Sequence, residues 1–140
     1  MLRLRKDLDY PVFAVFADGT MNVANNPEQL GMCNRRGLKN GCFNGMTVIT
    51  VKGEKLIVKQ AKEIGIFKPW WTSPMFLVLI MAELEMEPVG TVPFDELKQL
   101  FLKASRKTPS MYDGLMDKDE FVSKVESCKS AGELAQVLDG

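Results

Sequence analysis

The side chains that most often carry catalysis are scarce in this sequence. The chain has no histidine, which is the commonest general base and a frequent zinc ligand in proteins. Its three cysteines are Cys33, Cys42 and Cys128, and their spacing matches neither a zinc ribbon nor a disulfide framework. Cys42 lies between Gly41 and Phe43 with no base beside it, which disfavours a nucleophilic cysteine. We therefore predict a protein that is not an enzyme and uses no cofactor or metal.

Two further kinds of site are disfavoured by spacing. The glycines of residues 31–45 match neither a phosphate-binding loop nor a dinucleotide-binding fingerprint. The acidic residues 113–120 lack the glycine and the glutamate that a calcium loop requires at its sixth and twelfth positions. Helix capping by Asp117, with Glu120 three residues later, explains this stretch more simply.

The residues best suited to binding are aromatic and acidic. Tryptophan is enriched at interface hot spots because it buries a large area and keeps one hydrogen-bond donor. Residues 71–140 carry a net charge of −5, against +5 for residues 1–70. A core position for the tryptophans and a solvated surface for the acids are the alternative interpretations. The predicted partner-binding residues are Trp70, Trp71, Glu83, Glu85, Glu87, Asp113, Asp117 and Asp119.

Basic residues in the first half support a different hypothesis. Phenylalanines near basic side chains can stack on and grip single-stranded nucleic acid, although such phenylalanines usually belong to the core. Lysines that crowd a hairpin can instead protect an edge strand from aggregation. A nucleic-acid-binding domain is therefore the alternative function, and we consider it less favoured than protein binding. For nucleic acid, the aromatic residues concerned are Phe13, Phe16 and Phe43, and the basic ones are Arg35, Arg36, Lys39, Lys52, Lys55 and Lys59. The lysines that crowd the hairpin are Lys52, Lys55, Lys59 and Lys62.

The first half of the chain is predicted to form strands joined by turns. Residues 10–17 are almost wholly apolar, which indicates a strand covered on both faces. Asp18-Gly19 then predicts a tight turn into the alternating residues 20–24. Asn26 can cap a short helix that begins at Pro27. The glycines and asparagines of residues 31–45 predict a turn-rich loop. Residues 46–51 and 54–60 predict a second hairpin around Lys52-Gly53.

The second half is predicted to be mainly helical. Residues 75–87 fit either a buried strand or a helix, and the alternation after residue 82 slightly favours a strand. Pro88, Gly90 and Pro93 are expected to end this element. Apolar residues recur at helical spacing over residues 94–107. Asp117 and Ser130 are each followed three residues later by glutamate, which predicts two more helices. The expected core contains Val12, Val15, Phe16, Val48, Ile49, Leu97, Leu100, Phe101, Phe121 and Leu134.

The turn chemistry of the first half resembles that of small bacterial immunity proteins. The segments are DYPVFAVFADGTMNVANNPEQL and MTVITVKGEKLIVKQA, which give a hairpin at Asp-Gly, a capped short helix and a hairpin at Lys-Gly. Immunity proteins bind and block a contact-delivered toxin, so the resemblance implies a non-enzymatic, protein-binding role. It assigns no functional residues.

Together these patterns predict one domain over residues 1–140, of the α+β class. A mainly antiparallel sheet of hairpins is followed by two to three C-terminal helices. The longest apolar run is far shorter than the roughly 20 residues that a membrane helix needs, and no secretory signal opens the chain. With an odd number of cysteines, we expect free thiols and a cytoplasmic protein. The expected partner is another protein, most concretely a toxin domain, and not a membrane.

Overall fold

A computed structural model describes residues 2–34, 38–68, 79–107 and 116–137. It shows an α+β fold in which a curled antiparallel sheet precedes C-terminal helices. The described strands are β1 (Val12–Val15), β2 (Met21–Ala24), β3 (Met32–Asn34), β4 (Thr47–Thr50), β5 (Glu54–Lys68) and β6 (Leu79–Thr91). The described helices are α1 (Pro27–Gly31), α2 (Phe94–Lys107), α3 (Lys118–Ser127) and α4 (Ala131–Ala135), after a 3-10 turn at Arg5–Asp7. The predicted fold class is confirmed.

The helix ends follow the capping residues that the sequence indicates. The side chain of Asn26 accepts a hydrogen bond from the backbone N–H of Gln29 at the start of α1. Asp117 accepts one from Glu120 at the start of α3, and Ser130 accepts one from Glu133 at the start of α4. Each cap satisfies an N–H that has no partner inside its helix. The predicted bounds of α2, residues 94–107, are confirmed.

The strand order is β2-β1-β4-β5-β6-β3, and every pairing between the described strands is antiparallel. Tight turns join β1 to β2 and β4 to β5, where Gly19 has φ of 88° and Gly53 has φ of 87°. Glycine suits these turns because it adopts positive φ without steric cost. After β2, the chain passes through α1 to the opposite edge of the sheet, where β3 pairs with β6. Strands β1, β4, β5 and β6 are therefore internal over part or all of their length.

The expected single core is wrong, because the sheet separates two apolar clusters. Successive residues of a strand point to opposite faces, so Val12 and Phe13 of β1 enter different clusters although both are fully buried. The helix-side core contains Ile49, Leu97, Phe101, Phe121 and Leu134, with Val15 and Leu100 partly buried against it. The opposite core contains Val12 and Val48, with Phe16 partly buried against it.

Two predicted boundaries need correction. Residues 31–45 are not all loop, because Met32–Asn34 forms β3 beside residues 79–81 of β6. The described part of residues 75–87 is a strand, as favoured, but β6 does not end at Pro88 and continues to Thr91. Pro88 pairs with Leu56 beside a register irregularity of β5, a position where a missing N–H is tolerated.

Strand β5 is longer than residues 54–60, the length expected from the sequence. It runs to Lys68, which pairs with Leu79 at the start of β6. Strand β4 pairs with β5 only as far as Ile57, and one further backbone hydrogen bond joins the N–H of Val58 to the carbonyl of Met46. Beyond that point β5 has a strand neighbour on one side only among the described residues. We call residues 59–68 of β5 and 79–85 of β6 the distal arm.

The chain before β1 closes the outer side of β6. Arg3 exchanges two backbone hydrogen bonds with Met86, at 2.7 and 2.9 Å. The 3-10 turn that follows packs beside α1 and β6. Within the described ranges, no helix is long and apolar enough to cross a membrane.

Candidate functional site

The structure places the predicted binding residues in separate regions. Trp70, Trp71 and Asp113 lie outside the described residues. Glu83, Glu85 and Glu87 lie on β6, and Asp117 and Asp119 lie at the start of α3. No hydrogen bond or ion pair in the described part of the chain joins the β6 acids to the α3 acids. We therefore consider the two groups as separate surfaces.

The three glutamates of β6 share one face of the sheet, opposite the buried Ala82, Leu84 and Met86. Their neighbours on β5 include basic and neutral side chains, because Glu83 pairs with Lys62 and Glu85 pairs with Gln60. The Lys59 ammonium lies 3.1 Å from the Glu87 carboxylate. This face therefore presents both signs of charge, and not the purely acidic surface that the β6 sequence suggests.

Glu83 has a structural role in the N-terminal packing. One oxygen accepts the backbone N–H of Arg5 at 3.1 Å, and the other lies 3.0 Å from the Arg5 guanidinium. That guanidinium is buried and also donates to the carbonyl of Pro27 at 2.7 Å. The ion pair thus ties the 3-10 turn to both β6 and α1. Among the described residues, the Glu85 carboxylate makes no such hydrogen bond or ion pair. It is therefore the predicted β6 acid best placed to meet a partner.

The two described acids of α3 are explained by the helix itself. Asp117 is the N-cap, and its carboxylate accepts the N–H of Glu120 at 2.8 Å. Asp119 lies exposed in the first turn, where a negative charge interacts favourably with the helix dipole. These positions account for both residues without a ligand.

The basic residues of the alternative hypothesis do not form an uncompensated surface. Lys52 pairs with Asp9 at 3.1 Å, and Lys59 pairs with Glu87. Lys55 lies where β5 is paired on both sides, so the edge-strand interpretation is wrong for this lysine. The interpretation fits Lys59 and Lys62, which lie in the distal arm. Arg35 and Arg36 fall outside the described residues.

A cleft on the face opposite α2, α3 and α4 is the feature that sequence reasoning missed. Its volume is about 530 Å³, within the usual range for small-molecule pockets. Two of the three cysteines, Cys33 of β3 and Cys42 of the turn before β4, are on its wall. We call it the thiol cleft. Its described lining is Ala14, Phe16, Asn22, Val23, Ala24, Asn25, Gln29, Leu30, Met32, Cys33, Cys42, Phe43 and Met46.

Local backbone geometry positions the two thiols of the cleft. Cys33 pairs with Ile80 of β6, so its strand is anchored to the sheet. Cys42 lies in a turn closed by hydrogen bonds from the N–H of Gly41 to the carbonyl of Leu38 and from the N–H of Asn44 to the carbonyl of Gly41. Gly41 has φ of 78°, which allows the chain to reverse direction beside β3. The glycines and asparagines between the two cysteines were the available signal that the chain turns here and brings both to one cleft.

The environment of the thiol cleft keeps both thiols protonated. Burial, the neighbouring Cys42 thiol and the Glu63 carboxylate together raise the pKa of Cys33 to about 11. Burial also raises the pKa of Cys42, although a hydrogen bond with Cys33 opposes that effect. A thiol nucleophile needs a lowered pKa, so these thiols are poorly suited to nucleophilic catalysis at neutral pH.

Metal binding has little support in the same region. No group of three or more cysteine, aspartate or glutamate side chains among the described residues is arranged to hold a metal ion.

Comparisons with protein-family models, with curated proteins and with solved structures give no match.

Proposed function

We propose that this protein is a non-enzymatic binding module for another protein, most concretely an immunity-type inhibitor that blocks a toxin, and that the distal arm is its binding surface. The observation that carries the proposal is the extension of β5 past β4. Along residues 59–68, one side of β5 pairs with no other described strand, and such an edge offers backbone groups that another protein can pair with.

The side chains of the distal arm suit a protein partner. Ile64 is 55% exposed, the largest exposure among the large apolar residues described. It lies near the exposed Lys62, at the register irregularity of β5 between Glu63 and Gly65. An exposed apolar residue within a mixed-charge surface provides an anchor with a polar surround, which is the usual anatomy of a protein interface.

The charge pattern refines the inhibitor hypothesis. A toxin with a basic cleft would attract the free carboxylate of Glu85, because complementary charges speed encounter and fix orientation. Glu83 contributes little to such a contact, since its carboxylate is bound to Arg5. The connection between β5 and β6 carries Trp70 and Trp71, which remain the proposed aromatic anchors.

The mixed charge also weighs against nucleic acid as the partner. Nucleic-acid surfaces rely on basic side chains that are free to replace counterions on phosphates. Lys52 and Lys59 are each paired with a carboxylate, and Lys62 faces Glu83 across the strands. Protein binding is the function that these contacts favour.

The first experiment tests the surface with a matched pair of variants. Ile64→Lys places a charge on the distal arm, and Val89→Lys makes the same change at the other end of the hairpin, where Val89 is 48% exposed. Tagged forms of the wild type and both variants are used to isolate partners from the source cell. We expect Ile64→Lys to weaken binding of the recovered partner about 30-fold, the effect of a typical hot spot. Val89→Lys should bind as the wild type does. If Val89→Lys weakens binding and Ile64→Lys does not, the binding surface is not the distal arm.

The second experiment tests the inhibitor hypothesis. The product of the adjacent gene is expressed alone and together with this protein, and cell growth is measured. Rescue of growth by the wild type, but not by Ile64→Lys, supports inhibition through the distal arm. A product that is toxic alone and equally toxic beside the wild type contradicts the immunity role.

A further inference from the structure

We infer that Cys33 and Cys42 form a reversible disulfide that locks the wall of the thiol cleft. This inference does not depend on the proposed function. It rests on the shared position of the two thiols at one cleft and on the different anchoring of the two chain segments that carry them.

The cleft brings together two cysteines that lie nine positions apart in the sequence. Both thiols line the same cleft, and each shifts the pKa of the other. A disulfide requires the two sulfurs to move into bonding distance, so one of the two chain segments has to be able to shift. Cys33 is held by β3, whereas Cys42 is exposed on a turn closed by short-range hydrogen bonds. Cys42 can therefore move toward Cys33 without disturbing the sheet.

The chemistry of the surroundings favours a disulfide over a metal thiolate. A soft metal ion would need both sulfurs as thiolates. Burial and the nearby Glu63 carboxylate oppose negative charge at Cys33. A disulfide carries no charge, and neither do two protonated thiols. The oxidised product therefore places no negative charge beside Glu63. The environment slows formation of the bond, because a thiolate must form transiently, but does not destabilise the bond once it has formed.

The reaction is balanced with a disulfide oxidant such as oxidised glutathione. The Cys42 thiolate, formed by loss of a proton to solvent, attacks one sulfur of the oxidant and releases one glutathione thiolate. The Cys33 thiolate then attacks the Cys42 sulfur of the mixed disulfide and releases the second glutathione. Cys33 and Cys42 are oxidised, and the glutathione disulfide is reduced to two thiols. A dithiol reductant reverses both steps.

The disulfide would change the cleft in a defined way. It would link β3, at one edge of the sheet, to the turn that leads into β4. Because the crosslink limits the unfolded chain and fixes the turn, we expect oxidation to raise the Tm and reduction to restore it. Cys128 belongs to the helix-side core and provides an internal control.

The test is incubation of the whole protein with oxidised glutathione, followed by thiol titration after denaturation. The three thiols of the wild type should fall to one, with no mass added by glutathione. Cys128→Ser should fall from two thiols to none. Cys33→Ser should instead retain a glutathione on Cys42, because the second step has no attacking thiol. Below the thiol pKa, the rate should rise about tenfold per pH unit, as the thiolate fraction does.

A peptide map keeps the inference falsifiable if a variant fails to fold. Tryptic digestion of the oxidised wild type without reductant should join the peptide of residues 7–35 to the peptide of residues 40–52. Three thiols remaining in the wild type would overturn the inference. Glutathione on both cysteines, or a disulfide between two copies of the chain, would also overturn it.

Discussion

The two faces of the sheet are built in different ways. The helix-side face is covered by α2, α3 and α4, and its core is closed by rings, with Phe101 packed edge-on against Phe13 at 6.1 Å and stacked on Phe121 at 5.7 Å. The opposite face is covered by α1, the 3-10 turn and the turn that carries Cys42. Hydrogen bonds and an ion pair stabilise this face in addition to apolar contacts, and the face contains the thiol cleft. Regular helices cover one face, and irregular segments frame the larger thiol cleft on the other.

The largest expected effect compares one phenylalanine from each face. Phe101 is fully buried among rings, so Phe101→Ala should lower the free energy of unfolding by about 3–5 kcal/mol. Phe43 is also buried but borders the thiol cleft, so Phe43→Ala enlarges a space that already exists and should cost about 1–2 kcal/mol. Urea unfolding of both variants measures the difference. Equal losses would show that the two faces are packed equally closely.

The second prediction concerns the Arg5–Glu83 ion pair, on the face opposite α2, α3 and α4. Arg5→Met leaves Glu83 without its buried partner and should cost about 3 kcal/mol. The double variant Arg5→Met/Glu83→Gln should recover part of that loss, because no unpaired charge remains. Lys52→Met is the control, since the Lys52–Asp9 pair is exposed and should contribute less than about 0.5 kcal/mol. If Arg5→Met and Lys52→Met cost the same, the Arg5 ion pair does not anchor this face.

The smallest of the three predicted losses of stability comes from removing the Tyr10 hydroxyl. Tyr10 donates to the carbonyl of Arg5 at 2.7 Å, so Tyr10→Phe should cost about 1 kcal/mol near neutral pH. Burial raises the pKa of Tyr10 to about 12, above the ordinary value of 10.0. The folded state therefore holds this proton more tightly than the unfolded state does. The contribution is complete below pH 10.0 and is lost as the pH rises toward about 12.

The alkaline prediction is tested by urea unfolding of the wild type and Tyr10→Phe at several pH values. The difference between the two proteins should be constant below the ordinary tyrosine pKa and should shrink above it. Other groups that titrate at high pH are present in both proteins, so they cancel in the comparison. A difference that persists unchanged to about pH 12 would contradict the raised pKa of Tyr10.

The sequence predicted best what short-range physics controls. The bounds of α2 follow from the helical spacing of residues such as Phe94, Leu97 and Phe101, and the start of α3 follows from the Asp117 cap. The turns at Gly19 and Gly53 follow from the positive φ that glycine permits. Each of these signals lies within a few residues of the feature that it determines.

Features that depend on distant pairing were missed. Strand β3 has three residues, and its partner on β6 is almost fifty positions later, so no local pattern marks it. The apolar content of residues 10–17 correctly indicated a strand buried on both faces, but not that each face has its own core. The thiol cleft was missed for the same reason, because its lining comes from β1, β2, α1, β3 and the turn before β4. The described acids of the predicted site lie on the strand and at the helix start that the sequence favoured. Two of them, Glu83 and Asp117, have structural roles.

The position of β3 also has a consequence for the order of folding. Strands β1 and β2, and strands β4, β5 and β6, can pair with neighbours close in sequence, and such local contacts form quickly. Strand β3 has to wait for β6, because β6 is synthesised and paired later in the chain. With only three residues at the sheet edge, β3 should also open before the strands inside the sheet. Amide hydrogens of β3 are therefore expected to exchange with solvent sooner than those of β1, through local opening that leaves the helix-side core intact.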